Sequence, residues 1–142
     1  MESIMKYINR IFRCGILYRN AALADKGLNG YQHLYIMKLC QNPGISQEEL
    51  AKLVYINKSN VTRQLSLMEA SGFVFRRTDE NDRRSQQVFP TEKAYAIYPE
   101  VKKYVQLWNQ ILTEGLTEDE SVFLVPVLKK MAQNAEKEIA KQ

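Results

Sequence analysis

The chain has 142 residues, 45% hydrophobic and 25% charged, with a formal net charge of +4. That length and balance favour one domain able to bury a core, and the mildly basic charge is compatible with a polyanionic partner without requiring one. Cys14 and Cys40 are the only cysteines and His33 the only histidine, so neither a disulfide scaffold nor a metal site is expected. There is no Gly-rich phosphate loop, and a Ser–His dyad would have to use His33 from among core-like residues, so the expectation is no enzyme, no catalytic residue and no cofactor. No apolar run approaches the ~20 residues of a membrane span. Met1 to Lys6 lacks the order of a signal peptide, so no membrane partner and a cytoplasmic location are expected.

Ile4, Ile8, Ile11, Phe12 and Ile16 recur at helical spacing and predict a first helix over 4–24. Asp25 to Gly30 is turn chemistry. The pattern restarts over 31–39 and stops at Asn42-Pro43-Gly44, with Ile45 left isolated. Ser46 with Glu49 forms a capping box that starts a short third helix, ending near Val54-Tyr55. Asn57 or Ser59 caps the next helix, which runs to about Ala70 and closes at Ser71-Gly72. Val61, Leu65 and Met68 lie at i, i+4 and i+7 and face inward. Residues 73–77 and 86–89 are β-prone and predict a hairpin around a polar loop. Pro90-Thr91 ends the second strand. A fifth helix follows through Ala94, Ile97, Val101, Val105, Trp108 and Leu112, with Pro99 predicting a kink or break. Thr117 with Glu120 caps the last helix, 117–140, where Pro126 is a second candidate kink.

Two segments carry chemistry. Helix 57–70 presents Lys58, Ser59, Asn60, Thr62, Arg63 and Gln64, the hydroxyls, amides and cations that bond base edges and phosphates in a major groove. The loop Thr78-Asp79-Glu80-Asn81-Asp82-Arg83-Arg84-Ser85 places two arginines near the tip of a slender hairpin, which suits a minor groove. Arg76 and Arg77 stand at its base for phosphates, and Asp82 is expected to hold one arginine extended by an ion pair. The order is that of a winged helix-turn-helix binding double-stranded DNA. The fold expected is mainly α with a small β-hairpin wing. Its winged helix-turn-helix core spans 31–90, and a helical dimerisation region spans 1–30 and 91–142. The outer helices carry more apolar surface than the core can cover, and a second copy of the chain is the natural partner.

The segments Ser46 to Ala51, Asn57 to Arg63, Met68 to Arg76 and the wing 79–85 resemble the MarR family of transcriptional regulators over nearly the whole chain of 142 residues. The family's Asp-x-Arg wing pattern is matched by Asp82 and Arg84. Pro90 and Ala94 stand where its Leu-Thr-x-x-Gly helix start has leucine and glycine. The resemblance implies a single-domain homodimer that binds palindromic DNA, on family precedent a repressor; family members are released by small phenolic ligands, by oxidants or, in some, by metals, and the resemblance does not say which effector acts here. Cys14, beside Tyr18 and with Tyr31 opening the second helix, has two readings: a small core residue, or a redox-sensing thiol like that of peroxide-sensing members. Tyr31 and Tyr35, with Tyr98, Tyr104 and Trp108, are either core or the wall of an aromatic effector pocket. His33 is read as a satisfied helix residue. A winged-helix protein-interaction module without DNA binding is the rival; it requires an apolar outer face on helix 57–70, where Leu67 is the one hint.

Overall fold

The computed structural model describes residues 1–142. Six helices and three short strands follow in the order α1 (Ile4–Leu23), α2 (His33–Gln41), β1 (Ile45–Ser46), α3 (Gln47–Val54), α4 (Lys58–Ala70), β2 (Val74–Thr78), β3 (Gln86–Pro90), α5 (Glu92–Thr113) and α6 (Glu118–Ala140). No helix is long and apolar enough to cross a membrane.

The chain divides into two compact units, 1–106 and 107–142. The first is a winged helix. Its core joins Leu39 of α2, Leu50 of α3, Val61, Leu65 and Met68 of α4, and Val74 and Val88 of the sheet. It also draws Leu23, Leu28, Ala94, Ile97 and Val101 from outside 31–90.

The ends of α4 explain its placement. The Asn57 side chain accepts from the Asn60 amide at 2.9 Å and starts the helix. At the other end Gly72, at φ +82°, donates to the Glu69 carbonyl while Phe73 donates to that of Met68. This paired closure needs the left-handed conformation that glycine adopts without strain.

The strands form an antiparallel sheet in the order β1-β3-β2. The sequence predicts a two-stranded hairpin; the third strand is Ile45–Ser46, paired with Val88 and Gln87. Two residues carry too little pattern to read as a strand, and the pairing is tertiary. Ser46 caps α3 by accepting from the Glu49 amide, but the reciprocal half of the expected capping box is absent; Thr117 and Glu120 form both halves. The second helix starts at His33, so Tyr31 lies in the preceding turn. Helix α5 begins at Glu92 despite Pro90 and Ala94: Thr91 accepts from the Ala94 amide, and Ala94 is fully buried. Neither Pro99 nor Pro126 breaks its helix.

In the second unit, α6 has no buried residue. Val122, Phe123, Val125, Val127 and Leu128 all stand exposed in the single chain. In the first unit, Ile4, Met5, Ile11 and Phe12 of α1 are exposed as well.

Candidate nucleic-acid interface

The first turns of α4, the start of α3 and the tip of the β2–β3 hairpin enclose a groove of about 800 Å³. Lys58 and Thr62 line one wall; Asp82, Arg83 and Arg84 line the other. Lys58 Nζ lies 3.2 Å from Glu48, whose carboxyl it holds below the usual range. Gln47 Nε2 donates to Thr62 Oγ1 at 2.6 Å, and the Thr62 hydroxyl donates to the Lys58 carbonyl at 2.8 Å. Gln47 was not anticipated, because nothing in its position within the α3 sequence marks a bond to α4. Ser59, Asn60 and Arg63 are exposed on α4, and Arg63 Nη2 donates to Asn60 Oδ1 at 3.1 Å.

Arg83 and Arg84 are exposed and belong to none of the ion pairs. The expected Asp82–arginine ion pair is not formed. Asp82 orders the tip through the backbone instead: its Oδ1 accepts from the Arg84 amide at 3.0 Å and its carbonyl from the Ser85 amide at 3.0 Å. This is an Asx turn, in which a short carboxylate replaces a backbone acceptor. Asp79 repeats the device toward the Asn81 amide at 2.9 Å. Asp82→Ala is therefore expected to weaken DNA binding by about 1 kcal/mol, the worth of a turn hydrogen bond, although it removes a negative charge. Fluorescence anisotropy titration checks the sign; tighter binding would remove the ordering role.

Three anticipated residues sit differently from their neighbours. Arg76 is mostly buried and reaches back to α4. Its guanidinium bonds both Glu69 oxygens, at 3.1 and 3.3 Å, and also Ser66 and Gln47. It pins the base of the wing to α4 and depresses the Glu69 carboxyl. Arg77 lies over the stacked rings of Phe75 and Phe89, 5.1 and 5.5 Å from their centres. Gln64 is half-buried and accepts from Gln32 Nε2 at 3.1 Å. Leu67 is exposed, but Arg63 and Ser66 beside it are exposed too, so the outer face of α4 is polar.

A second cleft, about 620 Å³, opens between α1, α2 and α4. Tyr31 and Tyr35 line it with Phe12, Arg19, His33, Tyr55, Asn60 and Arg63. Cys14 and Tyr18 are not among its lining residues; Tyr18 packs edge-on against Tyr104 at 6.4 Å. Cys14 is exposed, contrary to its core reading, and Cys40 is half-buried with its thiol pushed up by burial. His33 is not satisfied: Nδ1 is shielded from solvent without a partner, as is the Tyr35 hydroxyl. Burial, then the nearby Arg19, lowers the His33 pKa to about 4, while the Gly30 backbone works in the opposite direction. Arg19 is buried and donates from Nε to the Gly30 carbonyl at 3.0 Å. It too was not anticipated, although it falls on the Ile16–Leu23 face, where a cation interrupting an apolar stripe is a readable signal.

The MarR family model matches residues 28–86, which hold α2 to α4 and the wing. A curated relative, the uncharacterised HTH-type transcriptional regulator YybA of Bacillus subtilis, is 28% identical over 97% of this chain and 92% of its own. The crystal structure of a MarR transcriptional regulator from Methanosarcina mazei is 32% identical, covers 96% of this chain and 99% of its own, and superposes with a TM-score of 0.90. A MarR-family protein of Listeria monocytogenes, solved in complex with a 26-mer DNA, is 28% identical over 97% and 92%, with a TM-score of 0.88. These relatives are regulators of transcription, not enzymes, and with the winged-helix fold they show that this chain belongs to the MarR family of transcriptional regulators.

Proposed function

We propose that the protein is a homodimeric repressor that binds palindromic operator DNA, with α4 in the major groove and the wing in the adjacent minor groove. The groove shared by Lys58, Thr62, Arg83 and Arg84 carries this reading, because it brings a polar helix start and two unpaired arginines to one surface. Ser59, Asn60 and Arg63 complete the base-reading set. Arg77 and Gln64 flank it, and Arg76 acts by holding the wing. The DNA complex of the Listeria protein supports the assignment. The uncovered apolar faces of α1 and α6 support a dimer, with the winged core as the reading head. Operator half-site centres are then ~10 bp apart, or a multiple of that turn.

Two measurements test it. Light scattering is expected to give a mass near twice 16.5 kDa. Duplex affinity is expected to fall steeply with salt, each neutralised phosphate adding ~0.9 to the log–log slope. A stable monomer would break the two-fold logic, and a flat salt response would exclude the phosphate contacts.

An effector releases the DNA, and the cleft bordered by Tyr31 and Tyr35 is its seat, with a small aromatic ligand as the occupant. The exposed thiol of Cys14 favours a second reading, release by an oxidant. Peroxide would convert that thiolate to a sulfenic acid. Loss of DNA binding in peroxide, abolished by Cys14→Ser and kept by Cys40→Ser, selects the second reading.

A further inference from the structure

Gln47, the first residue of α3, touches the base of the wing and the reading helix at once. Its Oε1 accepts from Arg76 Nη1 at 3.4 Å, and its Nε2 donates to Thr62 Oγ1 at 2.6 Å. Arg76 is fixed in turn by Glu69, to which it donates from Nε at 3.3 Å and from Nη2 at 3.1 Å, and only 17% of its side chain is exposed. The direction of each bond in this series follows from the guanidinium. Arginine has donors and no acceptor, so it must meet the amide oxygen of Gln47. The amide nitrogen then faces Thr62, and an amide nitrogen only donates. The Thr62 oxygen is therefore an acceptor toward Gln47. Its own proton goes to the Lys58 carbonyl, 2.8 Å away and one turn back along α4.

A threonine hydroxyl has one proton and two lone pairs. Here the proton and one lone pair are spent. Thr62 is exposed on the groove wall, so it offers the remaining lone pair, beside its methyl, to whatever enters the groove. A free hydroxyl pairs with donor and acceptor edges alike; this one accepts only. In a major groove the donors on base edges are the adenine N6 and cytosine N4 amines, whereas guanine and thymine present acceptors.

We propose that Gln47 is a positioning residue for operator specificity: tied to Arg76, it locks the Thr62 hydroxyl as an acceptor, which selects a base carrying an exocyclic amine opposite Thr62. The proposal deepens the DNA-binding reading above and rests on it. It gives α3 and the foot of the wing a part in sequence reading without a base contact of their own. The amide sets which way the hydroxyl points, and the hydroxyl meets the base.

The test uses the full chain and a duplex selected by the protein from a random library. Each adenine is replaced in turn by purine and each cytosine by 2-pyrimidinone, analogues without the exocyclic amine. Anisotropy reads binding by the parent, Thr62→Val and Gln47→Met. In the parent, removing the amine at one position of each half-site is expected to weaken binding about 5-fold, the worth of one hydrogen bond. Thr62→Val keeps the shape and the methyl without the lone pair, so the same replacement is expected to cost it nothing beyond what the altered duplex itself costs. In Gln47→Met the hydroxyl is free to turn and donate outward. Compared over all four base pairs at that position, its preference is expected to shrink about 5-fold, where a merely structural role would weaken binding to all four alike. If Thr62→Val loses as much as the parent at every replaced amine, Thr62 reads none of them and the proposal is wrong, while DNA binding stands. If Gln47→Met keeps the parent's preference, the positioning role is wrong. If selection yields no bound duplex, the DNA-binding reading falls and the proposal falls with it.

Discussion

Replacing Arg83 and Arg84 together by alanine is expected to lower operator affinity by about 2–6 kcal/mol, from roughly 1–3 per arginine, without lowering the melting temperature. Both side chains are exposed and unpaired, and the tip is held by the Asp82 and Asp79 turn bonds, which the substitutions leave in place. Affinity and stability are therefore separable at the tip. At Arg76 they are not, because that guanidinium ties β2 to Glu69 and Ser66 of α4. Arg76→Ala is expected to lose affinity and melting temperature together. Titrating selected and scrambled duplexes tells the roles at the tip apart. If Arg83 bonds a phosphate, its removal weakens both duplexes alike. If Arg84 sits in the minor groove, its removal weakens the selected duplex more. An unchanged affinity in the double variant would remove the wing from the interface.

Acidification is expected to destabilise the fold through His33 by about 3 kcal/mol, the worth of a shift from 6.5 to about 4. The folded-state pKa is lowered, so between those two values the unfolded chain binds a proton that the folded chain refuses. Stability is thus intact above about 6.5 and falls as pH drops toward 4. The cause is geometric: the half-buried side chain loses solvent, and Arg19 is the cation nearby. Urea unfolding at about pH 7 and about pH 4.5 is expected to show the loss in the parent and a smaller loss in His33→Gln. Glu48 and Glu69 also favour neutral pH, since their carboxyls are depressed by Lys58 and Arg76, but they are exposed and titrate at lower pH. The difference between parent and variant isolates the histidine. Equal pH dependence in both would mean that the folded chain lets the imidazole take up its proton freely.

What the sequence by itself determined is local. The i, i+4, i+7 spacing of Val61, Leu65 and Met68, the Asn57 cap and the Gly72 closure specify α4 before any fold is known, because each acts within one or two helical turns. The polar face of α4 and the arginine-bearing hairpin loop were legible for the same reason, and so was the family resemblance they carry. The tertiary structure decided everything that depends on residues far apart in the chain. Strand β1 exists only because Ile45 meets Val88. Arg76 and Arg77 look alike in sequence, yet adjacent strand residues point to opposite faces, so one reaches α4 and the other lies on the Phe75 and Phe89 rings. Asp82 could be read as an ion-pair partner until the loop backbone brought the Arg84 amide to it. The cleft is the fullest case. Arg19, Tyr35 and Arg63 stand on three helices, and only packing brings two cations to one cleft with no acid among its lining residues. Periodicity places a side chain on a face of its own helix, but which other face it meets is settled by the burial of the whole core.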